Sequence, residues 1–299
     1  MESLRTPDER FANLPGYNFD PHYIDTLEGY DGLRIHYIDE GPKDADRVFL
    51  CLHGQPTWSY LYRRMVPVFL ESGARVIAPD WLGFGRSDKP VSDDVYTFNF
   101  HRDMMLAFIK ALDLQRITLV CQDWGGLLGL TIPMEMPERF ERLLVMNTAI
   151  ATGTSPGEGF ESWKAFNRSQ PDLPIAALMK RSTPVLTNTE AAAYEAPYPD
   201  HRYKAGVRRF PELVMVAPDM EGVDISKRAA AFWSKDWTGD SFMAIGMQDP
   251  VLGPPIMRDL QKTIRGCPEP MEISEGGHFV QEHGEQIARA ALKHWGDLP

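Results

Sequence analysis

Val120-Cys121-Gln122-Asp123-Trp124-Gly125-Gly126 is the stretch on which the reading of this chain turns. Ahead of it, Arg116-Ile117-Thr118-Leu119-Val120 is apolar, β-branched and too short for a helix, while the leucine-rich run after Gly126 has helical length. The pattern is strand, sharp turn, helix, with Asp123 at the apex. An apex of this kind holds a nucleophile in a strained backbone conformation. It requires small residues two before and two and three after, so that strand and helix can approach. Cys121, Gly125 and Gly126 meet that requirement. A carboxylate displaces a leaving group from saturated carbon and becomes an ester, whereas a serine is matched to carbonyl carbon. Asp123 therefore predicts an alkyl-enzyme intermediate; simple capping of the following helix is the plainer alternative.

Working outward, strand candidates at residues 33–38, 47–52, 75–78, 117–122 and 142–146 alternate with helical stretches at 61–70, 100–112 and 127–136. Alternation of this kind predicts an α/β fold with a doubly wound, mostly parallel sheet. From residue 152 to 226 it stops, and helical pieces are broken by Pro171, Pro174, Pro184, Pro197, Pro199, Pro211 and Pro218. That segment reads as an inserted helical cap between two parts of one core, 1–151 and 227–299. Strands at 241–246 and 270–273 and a closing helix at 282–295 complete the second part. A cap across the carboxyl ends of the strands would shut a site there away from water.

Two segments downstream of Asp123 end strands: Gly246-Met247-Gln248-Asp249-Pro250 and Glu275-Gly276-Gly277-His278-Phe279. The order nucleophile, acid, histidine is that of a catalytic triad. Histidine titrates near neutrality and can take a proton from water attacking the ester, with Asp249 orienting the ring. The chain has eight histidines, and an aspartate before proline is also an ordinary turn. His53-Gly54-Gln55-Pro56 follows the strand ending at Leu52, where the backbone N–H groups of Gln55 and Trp124 would form an oxyanion hole. Tryptophan beside a strained apex also needs a reason. Its indole N–H is a donor only, suited to receiving a departing anion. Trp163, early in the cap, is the best second donor, although packing is the commoner use of tryptophan.

A net charge of −11 and a pI near 5.2 argue against nucleic acid or an anionic membrane surface as partner and suit a small neutral substrate. Cys51, Cys121 and Cys267 offer neither a disulfide framework nor metal-ligand spacing. With no apolar leader and no run of membrane-spanning length, a soluble cytoplasmic protein, and a monomer, is expected.

Taken together these residues resemble the haloalkane dehalogenases of the α/β-hydrolase superfamily, in particular the subfamily that holds halide between two tryptophans. The likeness runs nearly end to end. It includes His53 to Arg63, Gly83-Phe84-Gly85-Arg86-Ser87-Asp88-Lys89-Pro90, the Asp123 turn, the segment around Trp163, Gly246 to Asp249, and Gly277 to Glu282. The resemblance implies Asp123 as nucleophile, His278 as base, Asp249 as its partner, Trp124 and Trp163 as halide donors, and the Gln55 and Trp124 amides as oxyanion hole. It implies an apolar wall of Phe160, Phe210, Pro211, Val214, Leu127, Val251 and Leu252 around a short haloalkane. Hydrolysis would need water but neither cofactor nor metal. Two positions depart from the member compared most closely, which has glutamate where this chain has Gln55 and phenylalanine where it has Leu127. An epoxide hydrolase is the nearest competitor. It resembles this chain in fold and triad and would need cap tyrosines, of which Tyr194, Tyr198 and Tyr203 are available. A fluoroacetate-type dehalogenase should bring arginines to the turn, and a non-catalytic receptor on the same scaffold has no need of a matched acid–base pair.

Overall fold

The computed structural model describes residues 1–298. Its strands are β1 Ser3–Leu4, β2 His22–Ile24, β3 Ile35–Glu40, β4 Val48–Leu52, β5 Arg75–Pro79, β6 Lys89–Pro90, β7 Ile117–Cys121, β8 Phe140–Met146, β9 Asp240–Gly246 and β10 Met271–Ile273. Eight of them form one sheet in the order β10-β9-β8-β7-β4-β5-β3-β2, and β1 pairs separately with β6. From β10 to β5 neighbours run parallel; β3 and β2 extend the edge antiparallel. The central strands β4 and β7 are buried at every residue, which is why Val48-Phe49-Leu50-Cys51-Leu52 reads as an unbroken apolar run rather than an alternation.

Helices α1 Val66–Leu70, α2 Phe98–Ala111, α3 Trp124–Gly129, α8 Val223–Lys235, α9 Pro254–Thr263 and α10 Gly284–His294 accompany the sheet. Between β8 and α8 come α4 Glu158–Ser169, α5 Ile175–Ser182, α6 Asn188–Glu195 and α7 Ala205–Leu213. The helix expected at 127–136 starts earlier, at Trp124, and ends at Gly129, because Pro133 opens a separate 3-10 turn. Likewise the stretch 61–70 divides into a 3-10 turn, Ser59–Tyr62, and α1, where Pro67 sits in the tolerated first turn. The expected boundary at residue 226 falls inside α8, which begins after Gly222 in the left-handed region at φ +92°. Among the described residues no helix is long and apolar enough to cross a membrane.

Strand order decides where a ligand can sit. From β4 the chain goes on to β5 on one side, and from its neighbour β7 to β8 on the other, so the connections leaving these two carboxyl ends diverge and open a crevice there. Leu52 pairs in register with Cys121, which sends the loops carrying Gln55 and Asp123 off the sheet side by side.

Candidate active site

Asp123 has φ +51° and ψ −125°, a conformation that L-residues rarely adopt. The tight turn survives because its neighbours are small. A Cβ on Gly125 would strike the Leu52 carbonyl oxygen, and one on Gly54 would strike the Asp123 carboxylate itself. Asp123 does not cap α3 with its side chain. Its carboxylate instead faces outward: Oδ1 accepts a hydrogen bond from Gln55 N at 2.7 Å, and Oδ2 lies 3.4 Å from His278 Nε2. The capping alternative is thereby excluded by geometry. The Trp124 amide, first in α3, belongs to the N-terminal donors that have no intrahelical acceptor.

His278 follows β10 and Asp249 follows β9. Asp249 Oδ2 accepts from His278 Nδ1 at 2.8 Å, and its Oδ1 accepts from Val251 N at 2.8 Å and Leu252 N at 3.1 Å. Asp249 thus closes a turn with one oxygen and meets the His278 ring with the other. Access differs along the row: the Asp249 side chain is fully buried, whereas those of His278 and Asp123 keep 17% and 14% exposure. Burial pushes the His278 ring toward the neutral form, but the Asp249 and Asp123 carboxylates outweigh it and raise its pKa to about 10. For Asp249 burial acts upward, and the cationic ring, its hydrogen bond and those from Val251 and Asn147 bring the carboxyl below its ordinary value.

Asn147, at the end of β8, was not singled out by any motif. Its Nδ2 donates to Asp249 Oδ2 at 2.9 Å and to Gly246 O at 3.1 Å, while its Oδ1 accepts from Gly246 N at 2.7 Å. Thr148 Oγ1 donates to Asp123 O at 2.7 Å. The signal available was position alone: both residues directly follow a parallel strand at the ligand-binding edge.

A cavity of about 540 Å³ opens over these groups. Asp123, Trp124, Asp249 and His278 line it from the sheet side. Phe160 and Trp163, on one face of α4, line it from above, and Leu127, Pro211, Val214, Val251 and Leu252 extend the apolar wall. Gly159 lets α4 lie directly on the β9 loop, where any Cβ would meet the Pro250 carbonyl oxygen. Phe210 corrects the expected wall: Pro211 on α7 and Val214 just beyond its end face the cavity, and Phe210 packs behind Trp124 at 4.7 Å between ring centroids, fully buried beside Phe84 and His101. Gln55 Nε2 donates to Val207 O on α7 at 2.9 Å, a bond that a carboxylate at this position could not donate.

The tryptophans separate by their N–H groups. Trp58 donates to Ala193 O, Trp81 to His53 O, Trp233 to Leu130 O and Trp237 to Ser241 Oγ, and Trp295 Nε1 is buried without an acceptor. Trp124 and Trp163 both border the cavity, and neither indole N–H has an acceptor among the described residues. The cap tyrosines point elsewhere: Tyr194 OH donates to Glu282, itself held by Arg63 and Arg64, and Tyr198 OH donates to Pro56 O at 3.5 Å. No tyrosine lines the cavity among the described residues, nor are three His, Cys, Asp or Glu side chains grouped there as ligands for a metal.

Residues 47–285 match the family model described as alpha/beta hydrolase fold. The chain is 45% identical to a haloalkane dehalogenase of Psychrobacter cryohalolentis over the whole of both chains. It is 40% identical to one of Mycolicibacterium paratuberculosis over 98% of each. Among solved structures, the tetrameric haloalkane dehalogenase DpaA from Paraglaciecola agarilytica NO2 superposes with a TM-score of 0.96 at 53% identity, covering 98% of both chains. Likeness of that extent, on a scaffold with an aspartate at the turn and two free indoles above it, places the chain in the haloalkane dehalogenase family of the α/β-hydrolase fold.

Proposed function

We propose that this chain hydrolyses the carbon–halogen bond of short haloalkanes, with Asp123, His278 and Asp249 as the catalytic residues and Trp124 and Trp163 as halide donors. The observation that carries this reading is the pairing, in one apolar cavity, of an outward carboxylate with two indole N–H groups lacking protein acceptors. Asp123 Oδ2 attacks the carbon, the new C–O bond forms as the C–X bond breaks, and halide leaves toward the indoles. A hydrogen bond to a charged group is worth about 1.5–3 kcal/mol, and more of it is kept in a dry pocket than in water. The alkyl ester of Asp123 is then attacked at its carbonyl carbon by water. The Gln55 and Trp124 amides take up the oxyanion, whose Oδ1 already meets Gln55 N in the free enzyme.

His278 changes role between the two steps for an electrostatic reason. In the free enzyme two carboxylates hold it protonated. Esterification removes the charge on Asp123, so the ring more readily gives up its proton and can act as base on water. Alcohol, halide and a proton are the products.

Opening an epoxide needs an acid over the ring oxygen, and Tyr194 and Tyr198 are committed to Glu282 and Pro56 instead. That alternative is not favoured. Leu127, in place of a larger ring, would admit somewhat longer or branched chains. The cap runs from 152 to 222, ending at the left-handed Gly222 rather than at 226 inside α8, and the enzyme acts in the cytoplasm. For assembly, the tetrameric relative favours an oligomer over the expected monomer; light scattering on a sizing column distinguishes the two. Bromide release from short bromoalkanes, with no diol from styrene oxide, tests the activity, and diol without bromide would overturn it.

A further inference from the structure

His278 Nε2 is approached by two groups with opposite demands. Asp123 Oδ2, at 3.4 Å, is an acceptor and favours a proton on that nitrogen. Gln122 Nε2, at 3.1 Å, is a donor and requires a lone pair there. The orientation of the Gln122 amide follows from its other contacts. Its NH2 also lies 3.0 Å from the His278 carbonyl oxygen, which can only accept, and its Oε1 receives Gln281 Nε2 at 3.4 Å. Gln122 is fully buried, and its backbone is part of the strained turn, so the amide has little freedom to rotate away.

We propose that Gln122 is a positioning residue that opposes a proton on His278 Nε2 and so readies the ring as a base once Asp123 has been esterified. In the free enzyme the Asp123 carboxylate prevails over it. After alkylation the carboxylate charge is gone, Asp249 still favours the cation through Nδ1, and without a counterweight the ring would stay protonated when water must be activated. The Gln122 NH2 supplies that counterweight, holding the lone pair until water replaces it. The other elements packed around the ring leave this balance to the same few groups. Asp249 comes from the β9 loop, Asp123 from the turn, and the Phe279 ring edge is neutral. Glu282 is engaged by Arg63 and Arg64, and Arg181 of α5 borders the cavity while largely exposed.

This inference rests on His278 being the base, and the test separates the two. Rapid-quench kinetics with a short bromoalkane resolve bromide burst from ester hydrolysis across the neutral and alkaline range. Gln122→Met should keep the burst while the pH midpoint of hydrolysis moves upward by about one unit, as loss of a donor to the neutral ring requires. Gln122→Glu, which sets a carboxylate near the ring, should move it further in the same direction and serves if the methionine variant does not fold. An unchanged midpoint in a folded variant, or equal loss of both steps at every pH, overturns the proposal. His278→Gln run alongside should stall at the ester. If it stalls while the Gln122 variants keep the wild-type midpoint, only the role of Gln122 fails; if it turns over steadily, the base assignment fails with it.

Discussion

Two histidine–aspartate pairs lie in this molecule with nearly the same geometry. His278 Nδ1 meets Asp249 Oδ2 at 2.8 Å, and His36 Nδ1 meets Asp80 Oδ2 at 2.7 Å. Their titration is opposite in direction. His36, on β3, is 1% exposed; burial favours its neutral form, Asp80 only partly offsets that, and its pKa is lowered. His278 has a second carboxylate, Asp123, on its far side, and its pKa rises. Asp80 is also saturated. Besides His36 it accepts Ser59 N at 2.7 Å and Arg86 N at 2.8 Å, and although burial pushes it upward, the His36 ring and these donors hold it well below the carboxylate range. An Asp–His contact is therefore not a signature of catalysis. A second carboxylate and a cavity beyond the ring make the difference.

The largest break between the pairs should come from Asp123→Ala. Halide release should fall by roughly 10⁴-fold or more, as loss of a nucleophile generally does, with the melting curve little changed. His278→Gln should release about one equivalent of bromide per site and then stop, with the ester visible as a mass increment on intact protein; continued steady turnover would falsify its role as base. The converse holds at the other pair. His36→Gln, which removes a buried charge-assisted bond, should cost about 1–3 kcal/mol in denaturant unfolding while each folded molecule keeps its burst. Loss of the burst there would show that the two pairs are coupled. Trp163→Phe should weaken bromide binding roughly 10- to 100-fold, followed by tryptophan fluorescence quenching, which matches one lost bond to an ion of about 1.5–3 kcal/mol.

Smallest, and most specific to the comparison, is the pH dependence of stability. The folded value of about 10 for His278 exceeds the ordinary 6.5, so its contribution is complete below about pH 6.5 and is lost as pH rises toward 10. His36 is lowered, so its contribution is present above pH 6.5 and fades as pH falls through its folded value. Chemical denaturation of His278→Gln should flatten the alkaline limb, and that of His36→Gln the acid limb. Identical effects on both limbs would mean that the rings titrate alike.

Much of the site was legible because strained turns and strand ends demand particular residues. Asp123 between Cys121 and Gly125-Gly126 can be read without a structure, since only small neighbours permit the turn. The alternation of elements announces the parallel sheet in the same way. Side-chain direction was less accessible. Neighbours on α7 divide between cavity and core, so Pro211 lines the wall and Phe210 does not. Asn147 carries no motif and acts only because β8 ends beside β9, more than ninety residues later in the chain.

By itself, then, the amino-acid sequence determined the fold class and singled out Asp123, Asp249, His278 and the two tryptophans as candidates, because local backbone chemistry and element alternation are written in adjacent residues. Tertiary structure alone decided which of seven indoles lack a partner, which tyrosines are already engaged and which histidine faces two carboxylates. Those are questions of what lies on the other side of a side chain, and residues distant in sequence answer them.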